Sequence, residues 1–191
     1  MKRILLFLML PFLSFSQSAF IRDGNVFYFD SQNETIQITF EKECKDVILF
    51  ENNLYFFKEN NDNSIVQEEG NTVRYIDFIQ YNLKNNEESI ITETCGDKEG
   101  CLSNMSGLWL RPDKQGLIFT GTRNGATFET VFYYNFKTKK LTSLSGGSLY
   151  YLTKEGNMVV QIGSFDNGRY YQKWLLDKEG NKIKPLSKKE Y

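Results

Sequence analysis

The chain has 191 residues, no histidine, and 23 basic against 24 acidic residues, which gives a formal charge of −1. The absence of histidine excludes a Ser-His-Asp triad, a cysteine nucleophile assisted by histidine, and any histidine metal ligand. The balanced charge offers no basic footprint for nucleic acid. What remains is chemistry based on carboxylates, tyrosines or arginines, or binding without catalysis.

Residues 1–16 have the pattern of a cleaved signal peptide. Lys2 and Arg3 precede an apolar stretch over residues 4–15, and small residues suit a cleavage site after Ser16. The stretch is shorter than the roughly 20 apolar residues that a membrane-spanning helix needs. We therefore predict an exported protein, periplasmic or secreted, with no membrane span once the leader is removed.

The remaining residues, 17–191, are predicted to form a single all-β repeat domain. A short phrase recurs in them, in which a bulky apolar strand ends at Asp or Asn and is followed by a polar turn and a second strand. Because such a side chain can accept a hydrogen bond from a backbone N–H two residues on, it shapes the turn. The residues predicted to have this structural role are Asp30, Asn82, Asn135 and Asp177.

The apolar runs are short, rich in Val, Ile, Phe, Tyr and Thr, and separated by turn signals, and none has a helical period. In chain order, the first unit has room for three strands. The second begins near Asp46 and contains a long polar loop over residues 59–71. The third runs from Gly107 to Leu144 and the fourth from Ser148 to Leu186, with the Gly146-Gly147 pair as a linker between them.

Four antiparallel strands per unit, recurring about every 40 residues, are typical of a propeller blade. The predicted fold class is all-β, with antiparallel four-stranded repeat sheets in a small or partial β-propeller. A β-sandwich or barrel of two packed sheets is the alternative. The sheets either close a small ring or form an open arc, and an open arc leaves an apolar face for self-association or a partner.

Residues 110–120, LRPDKQGLIFT, are similar to the first half of the repeat of TolB-like and WD40-like β-propeller proteins. That half consists of an apolar residue, a Ser-Pro-Asp-Gly-like turn and an apolar strand. Residues 134–142, YNFKTKKLT, supply the second half, which closes on Leu-Thr. The resemblance implies a propeller fold for about half of the mature chain. The chain departs from the family in the number of blades, because such propellers usually have six or more and this chain has room for about four.

The three cysteines are predicted to have different roles. Cys95 and Cys101 flank the short segment GDKEG, which can bring their Cα atoms within bridging distance. In an oxidising compartment we expect them to form a disulfide, the alternative being two unrelated thiols. Cys44 is then left over as a partly buried, inert thiol. Without a CxxC motif or a histidine we expect no zinc site, and no other metal or cofactor is predicted.

No catalytic constellation is evident. Adjacent carboxylates such as Glu87 and Glu88 are expected in polar turns, where solvated charge is the ordinary state. Arginines beside aromatic residues are more informative, because together they can bind carboxylates, sugars or a peptide surface. The candidate binding residues are Trp109, Arg111, Arg123 and Arg169. The alternative for Trp109 is a place in the core.

These observations predict an exported, non-catalytic binding or scaffold module of the cell envelope that recognises a protein or peptide partner. One alternative is a carbohydrate-active enzyme that uses carboxylates. Another is an exported inhibitor or immunity-type protein. Association with further copies of the chain into a homo-oligomer is compatible with each of them.

Overall fold

The computed structural model describes residues 18–41, 43–66, 72–92, 102–123, 129–164, 170–187 and 190. Every regular element in these ranges is a β-strand, and the strands form four antiparallel sheets in chain order. Within the same ranges there is no helix that could serve as a membrane span. The predicted all-β fold class of four-stranded repeat sheets is therefore confirmed.

Sheet 1 contains three strands, β1 (Ala19–Arg22), β2 (Asn25–Phe29) and β3 (Thr35–Gln37). Sheet 2 contains β4 (Cys44–Phe50), β5 (Asn53–Val66), β6 (Thr72–Asn82) and β7 (Glu87–Thr92). Sheet 3 contains β8 (Leu102–Leu110), β9 (Gly116–Arg123), β10 (Glu129–Asn135) and β11 (Lys140–Gly146). Sheet 4 contains β12 (Ser148–Leu152), β13 (Met158–Ser164), β14 (Tyr170–Leu176) and β15 (Lys182–Pro185).

The predicted polar loop over residues 59–71 is wrong in its extent. β5 continues to Val66 and β6 begins at Thr72, and Ile65 is paired with Val73 across the two strands. The ladder consists of backbone N–H and C=O groups, which a polar sequence carries as well as an apolar one. The hairpin therefore extends through residues whose composition is typical of a loop.

The sheets stack in chain order, and a buried apolar cluster fills each junction. Along β5 the side chains alternate, so that Leu54 and Phe56 face sheet 1 while Tyr55 and Phe57 face sheet 3. This explains the unbroken apolar run LYFF, because an internal sheet is buried on both faces. Among the described residues no buried cluster joins sheet 4 to sheet 1. The described sheets therefore form an open arc.

Among the described residues, sheet 1 has no counterpart of the first strand of the repeat. β2 is followed by an Asp turn, as β6, β10 and β14 are followed by Asn or Asp turns, so β2 is equivalent to the third strand of the other sheets and β1 to the second. The first strands of sheets 2 and 3, β4 and β8, pack against each other. The position for which sheet 1 has no described strand is therefore the one on this inner side of the arc.

Hydrogen bonds reinforce the junctions between sheets. The N–H of Gly107 donates to Asp46 Oδ2 at 2.8 Å, which joins the inner strands of sheets 2 and 3. The N–H of Leu149 donates to Thr120 Oγ1 at 2.9 Å, which joins sheets 3 and 4. Because Thr120 is buried, its bond is shielded from competing water. These contacts help to hold sheet 3 against sheets 2 and 4.

Cys44 lies in the junction between sheets 1 and 2. It is buried, forms no disulfide, and its Sγ donates to Thr39 Oγ1 at 3.5 Å. Burial raises the pKa of the thiol above its ordinary value, which disfavours the reactive thiolate. Cys95 and Cys101 lie outside the described residues, so their disulfide stays a prediction.

Candidate functional site

The repeated Asp and Asn residues lie in the turns after the third strands. Asp30 Oδ1 accepts the N–H groups of Gln32 and Glu34, both at 2.8 Å, and Asp177 Oδ1 accepts those of Glu179 and Asn181 at 3.0 and 2.8 Å. In the same way Asn82 Oδ1 accepts from Lys84, and Asn135 Oδ1 accepts from Lys137 and Thr138. The hydrogen bonds from Asn181 hold the pKa of the Asp177 carboxyl below its ordinary value. This bonding pattern fits turn-shaping residues, and their structural role stays a prediction.

Two cavities open at one end of the arc, which we call the turn end because it carries the β4–β5, β8–β9, β10–β11 and β14–β15 turns. One cavity, of about 520 Å³, lies between sheets 2 and 3, and the other, of about 490 Å³, lies between sheets 3 and 4. Gln115 and Asn135 line both of them. The cavities are therefore adjacent, and together they form a groove across sheets 2, 3 and 4, the turn-end groove.

The floor of the groove on the side of sheet 2 is aromatic. Phe50, at the end of β4, and Phe136, just after β10, stack with their ring centroids 4.7 Å apart. Lys114 and Lys137 stand beside this pair, with Glu51 as the acidic residue of the wall. This half of the groove therefore offers an apolar surface next to mixed charges.

Arg111 lines the other half of the groove. The residue is only 8% exposed, its Nη2 donates to Asp113 Oδ2 at 2.6 Å, and its guanidinium carbon lies 4.6 Å from the centre of the Tyr133 ring. Its Nε is buried and has no hydrogen-bond partner among the described residues. A buried donor without a partner costs about 1–3 kcal/mol. Arg111 is thus held as a fixed cation, and one of its N–H groups is unsatisfied.

Of the four predicted binding residues, Arg111 lines this groove. Trp109 lies two residues before it at the end of β8 and is 40% exposed, but it lines neither cavity. Only the backbone of Arg123 is described, and Arg169 lies outside the described residues. Gln115 and Asn135, which join the two cavities, were not predicted as binding residues. The only sequence signal for them was their position in the turns of the repeat.

A third cavity, of about 590 Å³, lies on sheet 2 beside the segment that joins sheets 1 and 2, and is here called the acidic cavity. Lys58 stands in it, with its Nζ 2.5 Å from Glu41 Oε2 and 3.7 Å from Glu88 Oε1. Burial lowers the pKa of Lys58, but the hydrogen bond to Glu41 and the charges of Glu88 and Glu41 outweigh burial and hold the pKa above its ordinary value. The buried Asp77 accepts a hydrogen bond from Asn60 Nδ2 at 3.0 Å.

The acidic cavity is thus a network of paired charges. Glu88, one of the adjacent carboxylates noted in the sequence, lines this cavity. It forms an ion pair with Lys58, which comes from another strand. Within the described ranges, no group of three or more Cys, Asp or Glu residues is placed to hold a metal ion.

No protein-family model matches the sequence, and no curated protein matches it. Solved structures do match in fold. They include dipeptidyl peptidase 4 of Porphyromonas gingivalis (TM-score 0.57, 11% identity, 90% of this chain and 31% of that one). A second is an oligogalacturonate lyase in complex with manganese (TM-score 0.55, 14% identity, 83% of this chain and 41% of that one). TolB from Acinetobacter baumannii is a third (TM-score 0.51, 16% identity, 86% of this chain and 41% of that one).

This chain therefore spans between about a third and two fifths of the length of these three proteins. At such low identity the likeness concerns the fold alone. The neighbours are β-propeller proteins, and the four stacked antiparallel sheets of this chain have the blade architecture that they share.

Proposed function

We propose that this chain is an exported, non-catalytic binding module of the cell envelope that recognises a protein or peptide partner through the turn-end groove. The observation that carries the proposal is the continuity of the two cavities, which share Gln115 and Asn135. In this proposal residues 1–16 are removed on export and residues 17–191 are the single working domain.

The chemistry of the groove suits a peptide. The stacked rings of Phe50 and Phe136 offer an apolar platform, and Lys114 and Lys137 offer positive charge beside it. Aromatic and arginine side chains dominate the binding energy of many protein interfaces. The walls are pre-organised, because the Asn135 turn is held by its own hydrogen bonds, so little entropy is lost on binding.

The proposal includes a relation to TolB-like proteins. The motif over residues 110–120 and 134–142 supports it, as does the similarity in fold to TolB from Acinetobacter baumannii. The turn-end groove lies at the turns of this same motif. A partner bound there would contact the part of the chain in which the resemblance is best.

Photo-cross-linking from single positions tests the proposal. With a benzophenone amino acid at Gln115, we expect a discrete adduct that depends on ultraviolet light when the protein is expressed in its own cell envelope. A matched probe at Ser89, which is exposed on β7 and lines neither cavity, should give no such adduct. Mass spectrometry of the adduct then identifies the partner.

A second variant links the adduct to the groove itself. Lys137→Glu reverses a charge of the groove wall in an exposed turn, so it should reduce the Gln115 adduct while the melting temperature stays unchanged. Equal adducts from Gln115 and Ser89, or no adduct from correctly folded protein, would contradict the proposal.

The acidic cavity favours a second candidate function, a carbohydrate-active enzyme. Asp77 is buried in a cavity that also contains four glutamates, and two carboxylates in one cleft can hydrolyse a glycosidic bond. Such an enzyme would release reducing ends from a polysaccharide, and Asp77→Asn would abolish the release. The binding proposal predicts no release above background from either the wild type or the Asp77→Asn variant, since Glu41, Glu88, Glu59 and Asp77 are each engaged with Lys58, Lys45 or Asn60.

A further inference from the structure

The third strands of the four sheets carry equivalent side chains. One and three residues before the repeated Asp or Asn, each strand presents a pair of large apolar residues. In sheets 2, 3 and 4 these pairs pack against the preceding sheet, within the three buried clusters. The pairs are Ile79 and Tyr81 on β6, Phe132 and Tyr134 on β10, and Trp174 and Leu176 on β14.

Sheet 1 has the same pair, although no sheet precedes it among the described residues. At the equivalent positions β2 carries Phe27 and Phe29, and Phe20 on β1 lies 5.4 and 5.2 Å from their ring centroids. Arg22 covers part of this cluster, 5.3 Å from the centroid of Phe20. The three rings are only half-buried. Sheet 1 therefore presents one half of a sheet junction.

Sheet 4 presents the other half. The residues that would face a following sheet are Leu175, its cross-strand neighbour Val159, and Tyr151 opposite Val159. Leu175 and Tyr151 are half-buried, and Val159 between them is already fully buried within the chain. At the margin of this face Lys173 Nζ lies 3.2 Å from the centre of the Tyr150 ring, and Tyr171 is 61% exposed. In sheets 2 and 3 the corresponding face is covered by the next sheet.

We propose that a second copy of this chain covers both faces, with sheet 1 of each copy packed on sheet 4 of the other. Each contact between the copies would repeat the packing of one sheet on the next that is seen within a single chain. A head-to-tail contact that closes after two copies gives a ring with twofold symmetry. Its eight sheets lie within the range of about 4–8 blades typical of propellers.

The segments that form the two end sheets carry opposite net charges, counted with their turns, although each contact face itself carries a cation, Arg22 on sheet 1 and Lys173 on sheet 4. Residues 19–37 carry one cation and three anions, a net charge of −2, whereas residues 148–185 carry six cations and four anions, a net charge of +2. Head-to-tail packing brings opposite net charges together, and packing of like ends would bring like charges together. Electrostatic complementarity of this kind selects the partner and its orientation.

This proposal is independent of the turn-end groove. The groove lies between sheets 2, 3 and 4 of one copy, and the contact faces are the outer faces of sheets 1 and 4. Association of two copies and cross-linking from Gln115 can therefore succeed or fail separately.

Light scattering coupled to size-exclusion chromatography tests the ring. We expect the protein to elute with twice the mass of one chain. Phe29→Lys and Leu175→Lys place a charge on opposite contact faces, and each should weaken association about a hundredfold. Ile90→Lys is the matched control, because Ile90 is 50% exposed on sheet 2, away from both faces, and its variant should stay dimeric.

Mixing the two variants tests the orientation. A mixed pair of Phe29→Lys and Leu175→Lys chains has one junction with both faces intact, so it should associate more tightly than either variant alone. Near-ultraviolet circular dichroism shows whether each variant is folded. A monomeric wild type, a dimer sensitive to only one of the two variants, or assemblies that grow beyond two copies would each overturn the closed ring.

Discussion

Replacing Phe78 with alanine is expected to lower the free energy of unfolding by about 3–5 kcal/mol. Phe78 is fully buried in the junction between sheets 2 and 3. Its ring centroid lies 5.4 Å from that of Phe57 in its own sheet and 5.2 Å from that of Phe119 in the next. The truncation removes contacts on both sides of the junction and leaves a cavity that a rigid pair of sheets cannot close.

Denaturant unfolding followed by tryptophan fluorescence measures this loss. Phe40→Ala is the control, because Phe40 is 73% exposed and its truncation should change the unfolding free energy by no more than about 0.5 kcal/mol. A Phe78→Ala protein as stable as the Phe40→Ala protein would mean that sheets 2 and 3 do not pack through these rings.

The second large effect is expected at Gly147, in the linker between sheets 3 and 4. Gly147 has a φ of +113°, and a Cβ there would lie 2.4 Å from the carbonyl oxygen of Gln161 and 2.9 Å from Val160 Cγ1. Its own N–H donates to the carbonyl oxygen of Glu129 at 2.7 Å. Alanine must therefore adopt a disfavoured backbone conformation, at about 1–3 kcal/mol. It must also displace its neighbours, at about 1–3 kcal/mol more.

The adjacent glycine supplies a matched control for Gly147→Ala. A Cβ on Gly146 would meet nothing within 4 Å, so Gly146→Ala should leave the unfolding free energy within about 0.5 kcal/mol of wild type. Both variants add one methyl group to neighbouring residues, Gly146 at the end of β11 and Gly147 directly after it. Equal denaturation midpoints for the two would refute the close approach of the linker to β13.

The repeat predicts the fold well because its signals are local. Asp177 marks a turn by accepting backbone hydrogen bonds within four residues, and the Gly146-Gly147 pair is the predicted linker between β11 and β12. The continuation of β5 to Val66 was missed because composition describes side chains, whereas the ladder is formed by backbone pairing with β6.

The sites are harder to predict because their residues come from different parts of the chain. Lys58 meets Glu41 and Glu88 across three segments, and no spacing in the sequence indicates that contact. Arg111 was predicted as a binding residue from its aromatic neighbourhood. Its burial and its bond to Asp113 became visible only in the folded chain.

The central structural claim is that sheets 1 and 4 of one chain do not meet, and the proposed ring of two copies depends on this open arc. Phe29 lies on the outer face of sheet 1 and Leu175 on the outer face of sheet 4, so closure within one chain would bring these two side chains together. A double-mutant cycle of Phe29→Ala and Leu175→Ala measures their coupling, at a protein concentration at which light scattering finds a single chain. The open arc predicts that the two losses of stability add within about 0.3–0.5 kcal/mol. A coupling energy of about 1 kcal/mol or more would show that the two ends touch within one chain and would contradict the open arc.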